Sequence, residues 1–199
     1  MNYLYLIIII LLVILLICLL SYKGNDLCYN KSNYNEKDRN NLIELWMQHL
    51  IYTRLVFMAY FDDSSNLKQL EERLMNNQKD IGKLFSKIYS NKVGNAVTNL
   101  LTEHVEIAVK VLASLKNGNE NENEQREAIK AFYANANEIG VLIDKLKNTE
   151  IFKNHMKMHI DTLMSTVTSY TKKNYEKDIV DFDKYIHGGL MMVTDLFVL

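Results

Sequence analysis

Apolar residues recur at three- and four-residue spacing through six stretches of this chain, near 38–60, 65–90, 92–116, 124–146, 150–171 and 175–197. That interval returns side chains to one face of an α-helix, so each stretch predicts an amphipathic helix. In the second, Leu67, Leu70, Leu74, Ile81, Leu84 and Ile88 form a single stripe. The breaks carry turn chemistry: DDSSN after the first stretch, Ser90-Asn91, Asn148-Thr149, and KKN before the sixth. NGNENENEQ, residues 117–125, reads as a low-complexity solvated loop. The pattern predicts an all-α antiparallel bundle of about six helical segments arranged as three helix hairpins.

The first residues follow another rule. Tyr3 to Leu20 is an 18-residue apolar run without a charge. At 1.5 Å per residue it covers about 27 Å, enough for a bilayer core. A secretory signal would carry a basic start and a small-residue cleavage site, and the exit CLLSYKG has no such site. The expected organisation is a transmembrane anchor over 1–22, a polar tether over 23–37 and a helical-bundle domain over 38–199. Lys23, Lys31, Lys37 and Arg39 follow the span and no Lys or Arg precedes it, which places the bundle on the cytoplasmic side of a single-pass protein. Asn30-Lys31-Ser32 points the other way, because a glycan at Asn30 requires a lumenal domain.

Composition supports a helical chain. There is no proline, the residue that breaks helix interiors. The net charge of −1, with no long run of like charges, gives no electrostatic reason to expect nucleic acid. Cys18 falls within the apolar run and Cys28 just beyond it, so an internal disulfide is not expected. Usage rich in Asn, Lys, Ile and Tyr is typical of AT-rich genomes, such as those of large DNA viruses or protists. For a viral chain, a virion or host membrane is the corresponding location.

Three histidines stand 55 residues apart: His49, His104 and His159. Apolar residues precede each by seven and three positions (Leu42, Trp46; Val97, Leu101; Phe152, Met156), and Leu50, Val105 and Ile160 follow. Four positions before, Leu45 and Leu100 match and His155 is the exception. The second halves rhyme as well: NQKDIG (77–82), NANEIG (135–140) and NYEKDI (174–179) each set an acid before Ile. Three hairpins thus look like variations on one unit whose histidines could face a shared interior.

LWMQHLIYTR, RLMNNQKDIG, LLTEH, FYANANEI, HIDT and LMM together make the chain resemble a family of bacterial helical proteins with no established activity. The resemblance runs from about Leu42 to Asp195. Tyr52 stands where that family usually has Trp, and Val193-Thr194 intervene before Asp195. The resemblance implies an all-helical bundle and points to the three histidines, without naming a reaction.

Two kinds of chemistry suit these residues. In one, each imidazole belongs to a buried polar network, partnered by Tyr52, Thr53, Arg54, Asn137, or the carboxylates Asp80, Glu138 and Asp178. In the other, three histidines and a carboxylate hold Zn, Fe or Mn inside the bundle. No Glu-x-x-His occurs, and HMKMH, with His155 and His159, lacks the acid of a metalloprotease helix. Arg54 calls for a carboxylate, with Asp80, Glu138 and Asp178 as candidates. Asn77 with Asp80 suggests a helix cap, and Gly188-Gly189 suggests an interruption or close approach in the last helix. Phosphate-binding loops, dinucleotide fingerprints, Cys-x-x-Cys and nucleophile elbows are all missing. The expected function is a membrane-anchored binding or interaction module with a possible protein partner. The alternative is a metal-binding helical-bundle enzyme or sensor.

Overall fold

The computed structural model describes residues 35–116 and 122–198, which form six helices: α1 (Glu36–Phe61), α2 (Leu67–Ile88), α3 (Asn91–Lys116), α4 (Glu122–Lys147), α5 (Phe152–Thr171) and α6 (Tyr175–Val198). The apolar run, both cysteines and the sequon at Asn30 lie outside the described residues, as do 117–121 of the Asn/Glu loop. No described helix is long and apolar enough to cross a membrane.

The helix ends follow local chemistry. Asn35 caps α1 by accepting from the Asp38 amide at 3.0 Å, so the bundle begins slightly before the expected boundary at residue 38. Asp63, Asn148 and Lys173 take left-handed backbone angles just past α1, α4 and α5, a conformation that ends helices and that Asp and Asn adopt more readily than other residues with a side chain. Asp144, near the end of α4, reaches across the turn to accept from the amides of Phe152 (2.8 Å) and Lys153 (3.3 Å). That bonding caps α5, whose own N-cap, Ile151, has no side-chain acceptor.

Each helix packs on the next, and α6 returns to α1, so the six close into a ring. Contacts across the seams run in opposite order. Asp38 meets Lys87, whereas Gln78 meets His49. His155 meets Asp195, whereas Ser165 meets Asp181. Neighbours are therefore antiparallel, and α1, α3 and α5 all run the same way. One hairpin is one repeat, so the 55-residue interval brings the three histidines to the same level of three like-directed helices. The α2–α3 seam is the tightest: a Cβ on Gly82 would lie 1.7 Å from Thr98 Oγ1, and one on Gly94 1.8 Å from Ser86 Oγ.

Two expectations change. Asn77 is no cap. It sits in the middle of α2, fully buried, donating to the Leu45 carbonyl of α1 at 2.9 Å. Gly188-Gly189 does not interrupt α6, which runs through to Val198. The close approach is real at Gly189, where a Cβ would stand 2.8 Å from Trp46 Nε1 and 2.9 Å from Leu50 Cδ1.

Candidate functional site: a histidine layer inside the ring

His49, His104 and His159 are all buried within the ring. His159 occupies the centre: its ring centroid lies 5.8 Å from that of His49 and 6.1 Å from that of His104. Trp46 stacks on His49 at 5.0 Å and also reaches His159 at 5.7 Å. Tyr185 of α6 approaches His159 at 4.8 Å, and Phe132 of α4 covers His104 at 4.6 Å.

Hydrogen bonds fix two of the three tautomers. Gln78 donates through Nε2 to the Leu74 carbonyl at 2.8 Å, which orients its amide so that the same Nε2 faces His49 Nδ1 at 3.2 Å. His49 Nδ1 is then the acceptor, and its proton sits on Nε2. Asn135 donates through Nδ2 to the Leu100 carbonyl at 3.2 Å, so its Oδ1 accepts from His104 Nδ1 at 2.7 Å. His104 Nε2 is left as a lone pair. The two outer histidines thus present opposite polarity to the interior. Among the described residues, His159 Nδ1 has no hydrogen-bond partner.

All three are held neutral. Burial lowers His49 to about 3, helped by His104. Burial lowers His104 to about 4, against the opposing pull of its bond to Asn135. His159 is driven well below its ordinary value by burial and then by its two histidine neighbours. Burial likewise raises the Tyr185 phenol above its ordinary range. The Thr53 hydroxyl pulls Tyr185 slightly the other way, but neither hydroxyl makes a hydrogen bond of normal geometry.

The expected acids lie elsewhere. Asp80 is on the outward side of α2, bonded to Lys83 at 3.1 Å. Asn137 and Glu138 are exposed on α4. Only Asp178 is buried, and Arg54 holds it through two bonds of 2.9 and 2.6 Å while lying 4.3 Å over the Phe182 ring. The third acid-Ile pair is therefore out of phase with the first two. Ile81 and Ile139 are buried behind outward acids, whereas Asp178 is buried and Ile179 is 59% exposed. His155, absent from the repeat, bonds Asp195 at 2.8 Å.

Zinc, iron or manganese does not fit this arrangement. Among the described residues no three His, Cys, Asp or Glu side chains converge to hold a metal. One nitrogen of His49 is already an acceptor and the other carries the proton, so ligation would require breaking the Gln78 bond.

Gln78 and Asn135 are the site residues that sequence reasoning passed over as histidine partners. Their signal was present: Leu74, Gln78, Ile81 and Phe85 share a face of α2, and Asn135, Ile139 and Ile143 share a face of α4. No known protein-family model, curated protein or solved structure matches this chain.

Proposed function

We infer that this chain is a membrane-tethered helical-bundle binding module and not a catalyst. The observation that carries this reading is the character of the histidine layer: three wholly buried imidazoles, held neutral, each ringed by aromatic and neutral polar groups. General acid–base catalysis needs a group that exchanges protons near the working pH. Recognition needs only fixed donors and acceptors in a dry, shaped space, and the layer has both. The tether rests on the apolar run at 3–20, with the bundle on the cytoplasmic side by the positive residues that follow it. The competing reading, a metal-dependent enzyme or sensor, would need the layer to rebuild its hydrogen bonds.

Full-length protein, expressed without a histidine tag, tests both halves. Retention in membranes after alkaline carbonate extraction, with no stoichiometric transition metal by elemental analysis, is the expected outcome. Release by carbonate would sink the tether. A full equivalent of zinc, iron or manganese retained through purification would sink the metal-free reading. A glycan on Asn30 would reverse the orientation.

A further inference from the structure

Exposed large apolar side chains are spread unevenly around the ring. Among the described residues, α6 carries five of them, and the others lie on α1 and α5, the helices that flank it. The described parts of α2, α3 and α4 carry none. Ile179, Val180 and Met191 of α6 are 59%, 51% and 45% exposed. Single apolar residues are ordinary on a solvated surface, but a cluster on one helix marks a contact surface. Asp183 and His187 share this outer face, also exposed, and neither bonds another side chain among the described residues. Lys184 is engaged with buried Asp181 at 3.7 Å.

The order of these residues is symmetric about Tyr185, which itself points inward. Ile179 and Val180 stand six and five residues before it, and Leu190 and Met191 five and six after it. Asp183 and His187 stand two before and two after, an acceptor mirrored by a donor. We propose that α6 pairs with α6 of a second copy of this chain, antiparallel, about a two-fold axis at Tyr185. Residues equidistant from the axis then meet. Ile179 packs on Met191 of the second copy and Val180 on its Leu190. Asp183 accepts from His187 of the second copy, and the same contact repeats on the other side of the axis. An imidazole N–H can donate to a carboxylate whether the ring is neutral or charged. A parallel pair would instead set Asp183 against Asp183. The antiparallel overlap from Tyr175 to Asp195 is about 30 Å long. Met158 of α5 extends the face, lying 3.4 Å from where a Gly188 Cβ would be. This surface is separate from the histidine layer and does not depend on the tether.

Sedimentation of full-length protein in density-matched detergent, over a range of concentrations, reads the pairing directly. A monomer–dimer equilibrium is expected. Asp183→Lys and His187→Glu should each weaken it about tenfold, because the two-fold axis makes one substitution remove two contacts. Mixed in equal amounts, the two variants should regain wild-type strength to within about threefold. In the mixed pair the new ammonium faces the new carboxylate, and the original contact survives on the other side. Met191→Glu, which sets a charge against Ile179 of the second copy, should weaken pairing about a hundredfold. All three positions are exposed, and far-UV circular dichroism identifies any variant that fails to fold; the others then decide. A monomer at every concentration would overturn the proposal, as it would if lipid or another protein covers this face. A dimer that all folded variants leave intact would overturn it too, as would a mixture that recovers nothing. Carbonate extraction tests the tether alone, so the two results are independent.

Discussion

The first two hairpins and the third solve the same packing problem with different chemistry. In α1–α2 and α3–α4 an asparagine of the second helix donates to the carbonyl four residues before the histidine: Asn77 to Leu45, and Asn135 to Leu100. Each of those histidines also bonds an amide side chain, Gln78 or Asn135. In α5–α6 the bonds are carried by acids instead. His155 pairs with Asp195, and buried Asp181 accepts from Ser165 and Ser169 at 2.8 Å and from Lys177. Asp181 is lowered to about 2 by these partners, which overcome the opposing effect of burial. The third hairpin thus satisfies its rim and leaves His159, the middle one of the three histidines, without a partner for Nδ1 among the described residues. The lesson is that a repeat can hold its geometry while one copy loses the amide partner that the other two give their histidines.

Acidification breaks the histidine layer, including His159 of the third hairpin, while the Asp181 cluster of that hairpin stays ionised, and it should have the largest effect. The folded histidines titrate below their ordinary value of 6.5, so the unfolded chain binds more protons as pH falls through 6.5. Stability is then complete above about pH 6.5 and is lost progressively below it, by on the order of 2 kcal/mol per histidine at pH 5. Asp181 remains ionised throughout that window. Melting temperatures between pH 7.5 and 5 should fall steeply. A flat profile would mean that the histidines are already charged or solvated.

Arg54→Ala tests the slip in phase that buries Asp178 in the third hairpin. It strands a buried carboxylate and should cost about 3–5 kcal/mol in denaturant unfolding. The corresponding acids of the first two hairpins, Asp80 and Glu138, face outward, so replacing either with Ala should move stability by about 0.5 kcal/mol or less. Equal effects at all three would show that the acid-Ile motif plays one role in every hairpin.

His104→Leu and His159→Leu sharpen the contrast further. The first leaves Asn135 Oδ1 without its donor and should cost about 1–3 kcal/mol. The second removes a buried Nδ1 that has no partner among the described residues, so it should cost about 1 kcal/mol or less. The reverse order would place His159, not His104, in the satisfied network.

Much of the fold was legible because helical periodicity depends on side-chain spacing alone. The six segments, their breaks and the inward histidines all follow from stripes such as Leu74, Ile81 and Phe85. The phase of a short motif was not legible. NYEKDI copies the letters of NQKDIG, but Asn174 precedes α6 while Asn77 lies deep within α2, and this turns Asp178 inward and Ile179 outward. The choice of Asp178 for Arg54 depended on the α1–α6 seam, a contact between residues 124 apart that no local pattern encodes. Asn135 was missed in favour of Asn137 because both are plausible polar contacts in NANEIG, and only the four-residue step to Ile139 and Ile143 separates them. The tautomers needed the amide orientations of Gln78 and Asn135, which come from carbonyls of Leu74 and Leu100.

The histidine layer is neutral, and its outer members carry opposite tautomers on either side of His159. Long-range nitrogen–proton spectra of the imidazoles, recorded on full-length protein from pH 7 to 5.5, test it most directly. Three neutral rings are expected across that range, with the proton on Nε2 of His49 and on Nδ1 of His104. An imidazolium signal from any of the three at pH 7, or the same tautomer at His49 and His104, would contradict it.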